Sequence, residues 1–165
     1  LKTIITSKKW LQNRESIKKS IPLIIAYWKH PLGMMHWTLD ISYREQQFQA
    51  SCVIEPKYFK AKLYFNFGRI EKELHTNFDL EELVVHEMCH CKTFPLSSMA
   101  ARLIMYVGDE SGELDEQADI HDEQLVTCMG QALMMAKYRL TLLPDSVTLR
   151  SWDDMVYTED PFENE

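Results

Sequence analysis

What this chain lacks narrows what it can be. Its cysteines, Cys52, Cys89, Cys91 and Cys128, form no C-x-x-C pair. A mixed α/β chain of this length needs no disulfides for stability, so a reducing compartment and a cytoplasmic location are expected. The opening residues mix lysines with a few aliphatics and lack the continuous apolar segment of a secretory signal. The longest apolar run, Pro22 to Trp28, is far too short to span a bilayer, so no membrane partner is expected. Positive charge is outweighed, with 18 Lys and Arg against 25 Asp and Glu and a formal net charge of −7, which disfavours nonspecific binding to nucleic acid. The basic cluster Lys8, Lys9, Arg14, Lys18 and Lys19 reads as a solvated helix face. There is no internal repeat, low-complexity tract or interdomain linker.

What is present is a 45% hydrophobic, 11% aromatic chain of 165 residues, which suits one compact domain. We expect that domain over residues 1–151, with a helical extension at about 1–33 and an acidic tail at 152–165 in which Trp152 or Val156 pins part of the chain. Ser7 to Lys19 reads as a helix, and Ser20 then reads as the N-cap of a second, stopped by Pro31-Leu32-Gly33. The period then changes to two. Trp37, Leu39, Ile41 and Tyr43 alternate with polar residues, as do Phe48, Ala50, Cys52 and Ile54, and then Phe59, Ala61, Leu63, Phe65 and Phe67. These strands predict a small three-stranded sheet, antiparallel or mixed, with short links favouring antiparallel neighbours. Helices follow at Asp79 to Lys92, at Ser97 to Val107 with Gly108 ending it, and at His121 to Leu140 with Pro144 beyond; Asp109 to Asp119 reads as an acidic loop. The expected fold class is α+β, the sheet packed on the first of these helices and on further helices.

That first helix carries His86-Glu87-Met88-Cys89-His90, an H-E-x-x-H motif. At 3.6 residues per turn the two imidazoles lie one turn apart on one face and reach one cation, with Glu87 beside them to hold a water. Leu80, Leu83, Val84 and Met88 give the helix an amphipathic pattern, and Asp79 with Glu82 reads as an N-cap and capping box. The bland alternative is a helix that carries two partly buried histidines for packing. Cys89 and Cys91 flank His90 but rotate away from the histidine face, and read as small core residues.

A catalytic zinc site needs a third protein ligand and an open fourth position. Glu123 is preferred, because it falls in the first turn of a strongly patterned helix whose neighbouring Gly130 permits close packing on the motif helix. His121 would give a three-histidine site, Asp122 a shorter carboxylate, and Glu110 and Glu113 would be less well held.

A three-stranded sheet, an H-E-x-x-H helix and a later helix bearing a glutamate resemble the zincin metallopeptidases, and glutamate as third ligand resembles the gluzincin branch. The size is similar to minimal single-domain gluzincins and to metallopeptidases inferred from bacteriophage genomes. The resemblance covers roughly Trp37 to Tyr138 and is specific only at His86, Glu87, His90 and Glu123. The metzincin extension is absent, since Phe94 and Ser97 stand where its glycine and third histidine would be. The resemblance implies Zn2+ on His86, His90 and Glu123, Glu87 as general base, and a peptide or protein substrate paired along an edge strand. Thr127 stands where gluzincins often place a carboxylate that orients the first histidine, leaving Asp122 or a backbone carbonyl for that role. Tyr106 and His75 are the candidates for stabilising an oxyanion. The rival reading is a zinc-containing binding or regulatory module of a phage or mobile-element assembly, on the same scaffold but without useful peptidase activity.

Overall fold

The structure, a computed structural model, describes residues 14–109 and 111–138. The start of the expected first helix, the stop at Pro144, the acidic tail and Glu110 lie outside the described residues.

One helix, α1 (Arg14–Lys29), replaces the expected pair. Its apolar face, Ile17, Ile21, Ile25 and Trp28, is continuous at spacings of four and three, and this periodicity overrides the break expected at Ser20-Ile21-Pro22. Pro22 removes one helical hydrogen bond, but it lies on the exposed side, as does Lys18, whose carbonyl is freed. Ser20 is buried within the helix and caps nothing.

The strands are β1 (Thr38–Tyr43), β2 (Ala50–Glu55) and β3 (Lys60–Phe65), in the order β1-β3-β2. The sheet is mixed. β3 runs antiparallel to β2, with Ala50 opposite Phe65, and parallel to β1, with Thr38 opposite Lys60. The expected antiparallel pairing of sequential strands therefore holds for β2 and β3 and fails for β1 and β2. β3 takes the centre because Ala61, Leu63 and Phe65 are its buried face and no other strand is as apolar. A short 3-10 turn, Pro56–Tyr58, joins β2 to β3, and Phe59 follows in the left-handed region at φ 48°. Its ring meets those of His36 and Trp37 edge-on, at 4.6 and 5.8 Å between centroids, contacts that a glycine could not make.

A short helix, α2 (Phe67–Glu73), fills the link that followed the sheet in the sequence reading, and Phe67 opens it rather than ending a strand. Asn66 caps it. The Asn66 side-chain oxygen accepts the N–H groups of Gly68 and Arg69, and its amide donates to the Gln46 carbonyl at 2.6 Å.

The central element is α3 (Asn77–Val107), 31 residues in place of two expected helices. Thr76, not Asp79, is its N-cap. Asp79 is the third residue of a capping box, accepting the Thr76 N–H while the Thr76 hydroxyl accepts its own. The helix runs through Pro95, which is exposed, and the neighbouring hydroxyls of Thr93 and Ser97 bond back to the carbonyls of His90 and Thr93. Gly108 ends it in the left-handed conformation, as expected. Then α4 (Glu113–Tyr138) begins inside the expected acidic loop. Asp109 and Ser111 supply its N-terminal acceptors, and Glu113, Asp115 and Glu116 lie in its first turn, where the helix dipole favours acids.

α3 packs against α1, α4 and β2. The core gathers Ile21 and Trp28 of α1, Leu63 and Phe65 of β3, Leu80, Val84 and Met88 of α3, and Val126 and Met134 of α4. No described helix is long and apolar enough to cross a membrane.

Candidate metal centre

A long cleft of about 1240 Å3 lies between β2, the approach to it from Gln47, and one face of α3. The residues α3 gives to it, Asp79, Glu82, Leu83, His86, Glu87, His90, Phe94 and Ser97, recur every three or four positions, so one stripe of the helix forms the cleft floor. The core side of its first half carries Leu80, Glu81, Val84, Val85, Met88, Cys89 and Cys91, while much of its second half, from Leu96 to Val107, is exposed. α4 closes one side with Asp119, Asp122 and Glu123.

His86, His90 and Glu123 converge there. One ligand atom from each lies within 4.8 Å of the others. His86 Nε2 is 3.3 Å from Glu123 Oε2, and His90 Nε2 is 3.4 Å from Glu123 Oε1, so the carboxylate bridges the two imidazoles. α4 brings Glu123 to the cleft from its third turn, since the helix starts ten residues before it. The alternative third ligands do not converge: His121 is exposed and outside the cleft lining, and Glu113 is exposed at the start of α4.

Asp122 holds His90 in place. Its Oδ2 lies 3.3 Å from His90 Nδ1, and its Oδ1 accepts the Ser97 hydroxyl at 2.5 Å. With Nδ1 protonated toward Asp122, the His90 Nε2 lone pair faces the Glu123 carboxylate. In that tautomer Nε2 of His90 is a donor atom that a metal ion can take, beside the Glu123 carboxylate. His86 suits the same role: burial first, then the nearby His90, lowers its pKa and keeps the imidazole neutral, while the Glu123 charge opposes this. Neutral imidazoles and a carboxylate are a donor set that fits a divalent ion. The sequence reading had offered Asp122 for the first histidine; it serves the second. Thr127 is exposed and takes no part in the cleft.

Glu87 differs from the other acids. It is 5% exposed, opens into the cleft, and has no hydrogen-bond partner among the described residues. Burial, and secondarily the charge of Glu123, pushes its carboxyl up to about 8. Cys89 and Cys91 are buried off the histidine face as expected, and burial pushes the Cys89 thiol up to about 11, away from the thiolate a ligand would require. Cys91 faces Cys52 of β2, with 3.8 Å between sulfurs. Neither oxyanion candidate lines the cleft: Tyr106 is 90% exposed near the end of α3, and His75 is exposed before its start.

A buried anchor that the sequence reading missed sets the depth of α4. Glu81, 1% exposed, accepts Trp28 Nε1–H at 2.5 Å, Lys137 Nζ–H at 2.7 Å and the Tyr138 hydroxyl, joining α1, α3 and α4. Its signal was only an acid standing between Leu80 and Leu83, where the apolar pattern asks for a buried residue.

No protein-family model, curated protein or solved structure matches the chain.

Proposed function

We propose that the chain is a zinc-dependent metallopeptidase, in which His86, His90 and Glu123 hold the ion and Glu87 is the general base. The observation that carries this is one cleft in which two imidazole nitrogens and a carboxylate converge beside a buried Glu87 that has no hydrogen-bond partner among the described residues. Zinc suits two imidazoles and a carboxylate, and when bound it supplies a Lewis acid for a carbonyl oxygen and lowers the pKa of a water.

The rest of the chemistry belongs to the chain. Glu87 takes the proton of the attacking water and returns it to the departing amine. Asp122 fixes the tautomer of His90 by accepting from Nδ1, and Ser97 fixes Asp122. β2 pairs only with β3 among the described residues, so its outer edge is open beside the cleft, where an extended peptide adds as a further strand. The substrate is then a peptide or an unfolded segment of a protein.

The test is elemental analysis of protein purified without chelators or a histidine tag, beside His86→Ala/His90→Ala and Glu87→Gln. We expect about one zinc per chain, absent from the double variant and retained in Glu87→Gln, which loses hydrolysis. A chain that takes up no metal after zinc is added back leaves the motif as helix packing. Zinc uptake with no hydrolysis of any peptide moves the reading to a zinc-containing binding module.

A further inference from the structure

We infer that Glu82, beside Asp79, forms a subsite for a cationic side chain, so that the preferred substrates are peptides with lysine or arginine close to the cleaved bond. This deepens the peptidase reading and rests on it.

The cleft floor has a direction. Going toward the N-terminus of α3, Glu82 lies one turn before His86 and Asp79 about one turn further. At 1.5 Å per residue the Glu82 backbone stands about 6 Å from that of His86 along the axis, about two residues of an extended peptide. Asp79 is fixed there, its Oδ2 accepting the N–H groups of His75 at 2.8 Å and Thr76 at 2.9 Å. Glu82 is half-buried and has no ion-pair or hydrogen-bond partner among the described residues. Burial, then the charge of Asp79, raises its pKa, as for a carboxylate short of a counter-charge.

Among the described residues no lining residue supplies that charge. Arg69, the only lysine or arginine among the described lining residues, is bound to Glu73 at 2.9 Å, and Glu73 also accepts from Gln49 at 2.7 Å. Glu87, nine-tenths buried and with no hydrogen-bond partner among the described residues, opens into the same cleft, and Asp122 and Glu123 lie beyond the histidines. A divalent ion among His86, His90 and Glu123 leaves this end of the cleft acidic. Leu83 and the exposed ring of Phe48 also line the cleft and offer apolar surface to the aliphatic stem of a lysine or arginine.

The test uses the full chain carrying Glu87→Gln, loaded with zinc, and labelled peptides that differ only in a single lysine, norleucine or glutamate, with binding read by fluorescence anisotropy. We expect the lysine peptide to bind about tenfold more tightly than the norleucine peptide, a preference that shrinks as salt is raised. Adding Glu82→Gln should abolish the preference, and Glu82→Lys should transfer it to the glutamate peptide, with circular dichroism unchanged. Equal affinities, a preference that survives Glu82→Gln, or no binding of any peptide overturns the inference. The two readings fail separately. Hydrolysis by the wild-type chain without charge preference removes the subsite and leaves the peptidase, whereas a Glu82-dependent lysine preference without hydrolysis leaves the subsite and removes the peptidase.

Discussion

Gly130 of α4 lies against the backbone of His86: a Cβ at Gly130 would stand 3.9 Å from both the Cα and the nitrogen of His86. The contact is close enough to fix the spacing of α3 and α4 beside His86, His90 and Glu123, yet it leaves room for one methyl group. Gly130→Ala should therefore be neutral or should stabilise the chain by up to about 1 kcal/mol, because alanine costs less backbone entropy in a helix. Gly130→Leu should push α4 outward, lift Glu123 from the imidazoles and sharply reduce zinc binding. Thermal melts with and without zinc measure both. A zinc affinity unchanged in Gly130→Leu would show that α4 placement does not control the site.

The contact from Asp122 to His90 predicts a graded series in metal affinity. Asp122→Ala leaves the His90 ring unoriented and should weaken zinc binding about 10- to 100-fold, while Ser97→Ala, one contact further out, should cost less. Glu123→Ala removes the proposed third ligand and should cost more than either. His121→Ala should change nothing, since His121 is exposed and outside the cleft. Competition titration with a chromophoric chelator ranks the four, and a large loss in His121→Ala would move the third ligand.

The motif face and the small sheet were legible because they depend on local period: residues 86 and 90 share a face of any helix, and β3 alternates without a break. Glu123 was legible as a residue but not as a position, since the helix starts at Glu113 rather than near His121. Asp109, Ser111 and the acids of the first turn were sufficient start signals, yet polar residues there read equally well as loop. The breaks expected at Ser20 and between Lys92 and Ser97 erred in the other direction, since Pro22 and Pro95 both lie inside continuous helices. Each lies on an exposed helix side, and packing of the opposite face outweighs the lost hydrogen bond. The order β1-β3-β2 and the Glu81 anchor join segments far apart in the chain, and no local pattern encodes such contacts.

The Glu81 anchor predicts a large effect far from the chemistry. Removing the acid takes from the Lys137 ammonium, only 18% exposed, the Glu81 carboxylate at 2.7 Å, and from Trp28 and Tyr138 their common acceptor. Glu81→Ala should destabilise the chain by about 3 to 5 kcal/mol, as truncating a buried ion pair does. Trp28→Phe, which removes one donor and keeps the ring packing, should cost about 1 to 3 kcal/mol. Urea unfolding checks both. A loss below about 1 kcal/mol in Glu81→Ala would mean that apolar packing alone seats α4.

Glu87 gives the pH prediction. Its carboxyl moves from an ordinary 4.5 to about 8 in the metal-free fold, chiefly by burial. A folded value above the unfolded one means that this group's contribution to stability is complete below about 4.5 and is lost as pH rises through about 8. Glu87→Gln is close to isosteric and cannot ionise, so it should escape that loss. Without metal, the wild type and Glu87→Gln should unfold at similar urea concentrations near pH 4.5, and the variant should become the more stable by a few kcal/mol above pH 8. Added zinc should close the gap, because a cation beside Glu87 favours the charged carboxylate and lowers its pKa. The difference between the two proteins isolates Glu87 from every other acid in the chain. A difference that stays flat from acid to alkaline pH would mean that the Glu87 carboxylate is already compensated in the metal-free fold, and that its burial does not hold a proton ready for exchange with a water in the cleft.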